Sequence, residues 1–249
     1  MIILVSNDDG IQSTGIQTLA KALKKIPDAK IIVVAPDREK SAASHSLTLH
    51  RPLRILSPQK DQYAISGTPT DCITLGIYQI LKKKPDLIVS GINHGANLGD
   101  DVHYSGTVSA AMEGAINGVP SIAVSLVMKS EKPKFDVAAN FAAKLTKAVL
   151  KNKLPPGLVL NVNVPELPKN KIKGYVYSKL GKRNYGDIIV ENLDPRGKKY
   201  YWIGGDQRSY EDIPGSDCNA ILEGKIAITP IQADMTNYSF LDKIRSWKI

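Results

Sequence analysis

The sequence predicts a doubly wound α/β fold. Two observations carry this. Short β-branched-rich apolar runs recur along the first two thirds of the chain, the pattern of strands buried on both faces of a parallel sheet. Segments of helical period, 10 or more residues long, lie between them and imply right-handed crossovers and a mostly parallel, Rossmann-like sheet. A third observation bounds the fold: after Pro165 the helical texture stops, and a β-hairpin-rich extension is expected.

The apolar runs at residues 2–5, 31–35, 87–89 and 122–124 read as core strands, and 158–162 adds another. Residues 14–25 read as the first helix, with Ile16, Leu19, Ala20 and Leu23 on one face and a capping box expected between Thr14 and Gln17. Further helices are expected over 71–81, 106–117 and 135–150. In the extension, residues 173–179, 187–192, 199–203 and 225–229 read as antiparallel strands or hairpin arms between Gly, Asn, Asp and Pro. The expected division is an α/β catalytic core over 1–165 and an extension over 166–249 that completes the core and serves oligomerisation.

Composition narrows the function classes. At 249 residues, with 43% hydrophobic and 23% charged residues, the chain has the makings of one large α/β domain with a substantial core. Cys72 and Cys218 are too few and too far apart for a disulfide framework or a four-cysteine zinc site, which points to a reducing compartment. No run reaches the ~18 apolar residues that span a bilayer, and no leader-like segment opens the sequence, so a cytoplasmic protein without membrane contact is expected. The net charge of +9 suits nucleotides or other phosphorylated ligands. Its lysine clusters are scattered and lack interleaved aromatics, so a stable nucleic-acid partner is not expected.

Loop chemistry points to phosphoryl transfer. Ligands of an open parallel sheet bind beyond the carboxyl ends of its strands. There the sequence puts Asp8 and Asp9, residues 37–46, residues 90–105 and Ser125. Two adjacent carboxylates repel in a dry crevice unless a cation neutralises them, although a turn capping the next helix is the simpler alternative for the dipeptide alone. The neighbouring donors Asp8, Asp9, Ser41, Asn93 and Asn97 are oxygen-rich and favour Mg²⁺, Mn²⁺ or Ca²⁺ over Zn²⁺. Ser105, Gly106 and Thr107 run straight into a helix with Val108, Ala111, Met112 and Ala115 as its apolar face, with Ser105 as N-cap, and that helix start can receive a phosphate. A metal on one loop and an anion site on the next describe a phosphatase. Asp8 or Asp9 could orient or deprotonate the water, and His45, His94 and His103 are candidates for protonating the leaving group.

The ordered motifs Asn7-Asp8-Asp9-Gly10-Ile11, Ala35-Pro36-Asp37-Arg38 with Ser41 and His45-Ser46, Gly67-Thr68-Pro69-Thr70-Asp71-Cys72, Ser90 through Asn97, Tyr104 through Val108, and Ala227 through Ile231 resemble the SurE family of stationary-phase survival nucleotidases, over essentially the whole chain. The resemblance implies a SurE-like fold and a metal-dependent phosphomonoesterase acting on nucleoside 5′- and 3′-monophosphates. It implies one divalent cation per subunit, Mg²⁺ or Mn²⁺, held by Asp8, Asp9, Ser41 and Asn93. It also implies phosphate binding by Asn97, Ser105, Gly106 and Thr107, and a homodimer or homotetramer with C-terminal elements exchanged between subunits. Two rivals are a covalent aspartyl phosphatase and a non-enzymatic nucleotide- or RNA-binding protein. The first needs an acid two positions after its nucleophile, where this chain has Gly10; the second predicts salt-dependent binding that survives chelation.

Overall fold

Buried Ile, Val and Leu runs pull the strands into one sheet. The computed structural model describes residues 1–183, 189–203 and 210–248. The chain opens with β1 (Ile2–Ser6), α1 (Thr14–Leu23), β2 (Lys30–Pro36), β3 (Ile55–Gln59) and β4 (Gln62–Ile65). It continues through α2 (Pro69–Leu75), β5 (Leu87–His94), α3 (Gly106–Ile116), β6 (Ser121–Val127), α4 (Asp136–Asn152) and β7 (Leu158–Pro165). Then come β8 (Tyr175–Tyr177), β9 (Ile189–Leu193), β10 (Lys199–Ile203), α5 (Asp217–Leu222), β11 (Ile226–Gln232) and α6 (Tyr238–Ile244).

Nine strands form one sheet in the order β3-β4-β2-β1-β5-β6-β7-β11-β8. From β4 to β7 neighbouring strands run parallel, and β3 and β11 run antiparallel to β4 and β7. Helices α1 and α4 pack together over one face, where Ile16, Leu19 and Leu23 meet Val33, Val89 and Val124. Helices α2 and α3 pack together over the other face. At ~1.5–3 kcal/mol for each fully buried aliphatic side chain, these two apolar layers supply the main driving force for the fold. The strand order reverses at β1, which lies between β2 and β5, and such a reversal opens a crevice at the carboxyl ends of the strands.

The expected doubly wound sheet is present, and β9 and β10 form an antiparallel hairpin outside it. Several local readings differ. No capping box forms at α1: Ser13 is its N-cap and makes no side-chain cap bond, while Gln17 donates to the Ile11 carbonyl. The reciprocal box sits at α2, between Thr68 and Asp71, so the helix expected over 71–81 starts earlier, at Pro69, and loosens into a π-helical turn over Gly76–Leu81. Strands β3 and β4 and helix α5 were not read from the sequence; all three are short, and β3 is exposed along its length. Residues expected as hairpin arms at 173–179 and 225–229 instead enter the main sheet as β8 and β11, parallel to each other. Of the strand expected over 187–192, residues 187 and 188 lie outside the described residues.

Candidate functional site

The crevice is built from three loop starts. Strand β1 ends in a tight turn closed by Asn7, whose buried amide donates to the Gly10 carbonyl at 3.0 Å and to Ser13 Oγ at 2.8 Å. Gly10 has φ +91°, and a Cβ there would meet the Arg38 backbone at 3.0 Å, so the turn admits only glycine. Ile11 N–H then bonds the Pro36 carbonyl and Lys40 N–H the Asp8 carbonyl, which lays the loop after β2 against the paired aspartates. The register Ser6 to Ser90 brings the far end of β5, with Asn93 and His94, alongside.

Helix α3 points its first turn at Asp8. Ser105 caps it, accepting Val108 N–H at 3.1 Å. A Cβ on Gly106 would lie 2.8 Å from Asp8 Cβ and 2.9 Å from Asp8 Oδ2, so only glycine lets the helix start sit on this carboxylate. The Thr107 hydroxyl donates to Asp8 Oδ1 and lies 3.5 Å from Asn93 Oδ1. The Asn93 amide nitrogen donates to the Gly95 carbonyl at 3.1 Å, which turns its oxygen toward Thr107. Asp9 Oδ2 accepts the His94 backbone N–H at 3.1 Å, and His94 Nδ1 stands 3.8 Å from Asp9 Oδ1 with its ring against Phe135.

Burial is the dominant electrostatic fact. It pushes the Asp8 carboxyl above its ordinary 3.8, against the Thr107 hydroxyl and the Gly106 and Thr107 backbone groups, which favour the charged form. Burial and then the Asp8 charge push the Asp9 carboxyl up to about 6, with His94 pulling the other way. Two adjacent buried carboxylates with the Asn93 amide oxygen near the Asp8 side form a hard-oxygen set that fits a divalent cation such as Mg²⁺ or Mn²⁺. Among the described residues no group of three or more His, Cys, Asp or Glu gathers as a metal site, here or elsewhere, so the set depends on the Asn93 amide oxygen beside the carboxylate pair.

Asp8, Asp9, Asn93, Gly106 and Thr107 are thus drawn together. Ser41 follows Lys40 on the adjoining loop, and its exposed hydroxyl donates to Glu39 Oε1 at 2.5 Å. Asn97 is buried behind the crevice, where its Nδ2 donates to Ser125 Oγ at 2.7 Å. His45 Nε2 pairs with Glu113 Oε2 at 2.9 Å, and that contact holds the Glu113 carboxyl below its usual range. A cavity of about 580 Å³ begins beside His103 and runs along α3 past Ser109 and Met112 to Ile231.

Sequence reading missed Asn161 and Asn163, buried on β7, and Asp217, buried at the start of α5, all of which bond the loop after β5. The signal for the asparagines was present: two amides at i and i+2 in an otherwise apolar strand must find partners inside. Asp217 had no such signal.

Comparison with known proteins points to one family. The family model "Survival protein SurE" matches residues 3–187. A relative from Geobacter sulfurreducens named "5'-nucleotidase SurE" is 49% identical over 249 residues, covering 100% of this chain and 94% of that protein. One of the same name from Nitrosococcus oceani is 50% identical over 247 residues, covering 99% and 97%. The crystal structure of the Sure protein from Aquifex aeolicus superposes with a TM-score of 0.89 at 42% identity, covering 98% of both chains.

Proposed function

The chain belongs to the SurE family, and from that premise we propose that it is a 5′-nucleotidase, hydrolysing nucleoside 5′-monophosphates, and 3′-monophosphates by the same chemistry, to nucleoside and inorganic phosphate. The observation that carries this reading is the contact of the α3 start with Asp8, which joins a carboxylate pair suited to a hard cation to a helix N-terminus suited to phosphate.

In this reading Asp8, Asp9 and Asn93 hold one divalent cation per subunit, Mg²⁺ or Mn²⁺, and Ser41 joins them by turning from Glu39. When bound, such a cation supplies Lewis acidity at the phosphoryl group and lowers the pKa of water. The Thr107 hydroxyl and the Gly106 and Thr107 backbone groups all face Asp8, and in this reading the same first turn of α3 meets the phosphoryl oxygens. Ser105 keeps that turn open by capping Val108. Asp8 or Asp9 would orient the attacking water or take its proton. Asn97 supports the phosphate side from within, and the cavity beside His103 gives the nucleoside room.

Localisation in the cytoplasm suits the two free, buried thiols, Cys72 and Cys218, and no helix among the described residues is long and apolar enough to cross a membrane. We assign residues 1–165 to catalysis and 166–249 to completing the core and to assembly as a homodimer or homotetramer.

The test is phosphate release from a panel of nucleoside monophosphates by wild type and Asp9→Asn, with Mg²⁺, with Mn²⁺ and with chelator. Release that requires metal and falls at least ~10²-fold in the variant supports the reading. Folded, metal-loaded wild type that hydrolyses no member of the panel would falsify it.

A further inference from the structure

The segment from Asn97 to Tyr104 leads from the strand bearing Asn93 to the helix start bearing Gly106 and Thr107, and it is held by side chains from far along the sequence. The fully buried carboxylate among these is Asp217, at the first position of α5. Its Oδ2 accepts Gly99 N–H at 3.0 Å across 118 residues, and its Oδ1 accepts Gly181 N–H at 2.7 Å and Cys218 N–H at 2.9 Å. A buried carboxylate is tolerated only where such charge-assisted bonds replace water, so these three donors are tied to a single point. Two residues before Gly99, the Asn97 backbone is gripped on both sides. Its N–H donates to Asn163 Oδ1, and its carbonyl accepts Asn161 Nδ2 and Asn163 Nδ2, each at 2.9 Å. Two residues after Gly99, Asp101 takes a two-pronged bond from Arg183 at 2.8 and 3.0 Å. The carboxylates suited to the cation are set differently, by β1 and by the turn that Asn7 closes.

We propose that Asp217 is a positioning residue of the nucleotidase, an inference that rests on the function proposed above. By fixing Gly99 it fixes the approach to α3, and so places the first turn of that helix, at Gly106 and Thr107, where the transferred phosphoryl group would meet it. The region beyond residue 165 therefore takes part in catalysis through geometry.

Asp217→Asn is the sparing test. Replacing one carboxylate oxygen by NH₂ sets a donor against the N–H of Gly99, or against those of Gly181 and Cys218, with almost no change of volume. In the Mn²⁺-loaded variant, inorganic phosphate measured by titration calorimetry should bind ~10-fold more weakly, and kcat should fall ~10- to 100-fold. Mn²⁺ affinity, read by electron paramagnetic resonance, should fall less than phosphate affinity, because β1 and the turn that Asn7 closes set Asp8 and Asp9 independently of Gly99, and a fall as large as that for phosphate overturns the proposal. A lower melting temperature with phosphate affinity and kcat per folded molecule unchanged would reduce Asp217 to a structural residue and overturn the proposal.

If the variant does not fold, amide hydrogen exchange on wild type reads the same coupling. Phosphate should protect Gly99 N–H together with the first turn of α3, and protection confined to α3 overturns the idea. Wild type that binds phosphate yet hydrolyses no nucleotide would sink the nucleotidase reading alone, since phosphate affinity would still judge Asp217.

Discussion

Asp9 shows how strongly one side chain answers to its surroundings. Burial and the neighbouring Asp8 charge raise its carboxyl from 3.8 to about 6, so between those values the folded chain holds a proton that the unfolded chain has released. The sign follows: the contribution is present below the unfolded value and is lost as pH rises through the folded one. In metal-free protein, melting temperature measured across about pH 4 to 7 should therefore fall for wild type relative to Asp9→Asn, and added Mn²⁺ should restore wild type preferentially at the upper end. A difference between the two proteins that stays flat with pH would contradict this. At this scale the sequence was legible wherever chemistry sits next to a periodic run, as with Asp8, Asp9, Asn93 and Ser105. It was illegible where the partner lies across the fold: nothing in the sequence marks Asp217 until Gly99, 118 residues away, is seen against it.

Helix α3 is the element on which the site turns. Helix propensity alone favours Ala over Gly by up to ~1 kcal/mol in a helix interior, so Gly106→Ala would be expected to do no harm. The contact with Asp8 argues the reverse, because the added methyl would lie 2.8 Å from Asp8 Cβ and 3.1 Å from Pro69 Cγ. Steric displacement of the helix start should win. We expect Gly106→Ala to lose at least ~10²-fold in kcat, with weakened phosphate binding, in steady-state kinetics and calorimetry. Near-wild-type turnover would mean that the helix can back away without cost. Core elements were visible in sequence because both faces are buried, as in β2 and β6. Strand β5 runs farther than its apolar run because Ser90, Gly91, Asn93 and His94, which break that run, still pair with β6. Strands β3 and β4 escaped notice because an edge hairpin exposed on one side has too little apolar contrast, and α5 because six residues are too few to show a period.

At the scale of the molecule, two regions leave large apolar side chains in the open. Strands β9 and β10 expose Val190, Tyr200 and Trp202, and α6 with the residues just after it exposes Phe240, Ile244 and Trp247. An isolated two-stranded hairpin is marginal in water, and apolar area of this kind is the usual mark of an interface. The homo-oligomer proposed above would use it: light scattering should find wild type as a dimer or tetramer, and the double variant Tyr200→Ser, Trp202→Ser as a smaller species. A wild-type monomer at micromolar concentration would remove the proposal. A last consequence follows from the reach between Gly99 and Asp217. As a nascent chain leaves the ribosome, the paired aspartates emerge first, but the carboxylate that ties down the loop beside them emerges more than 200 residues later. The parallel strands can collapse early, whereas competence to cleave a nucleotide is acquired late, once α5 has docked. An unfinished chain would thus carry the acidic pair without the geometry that makes it an enzyme.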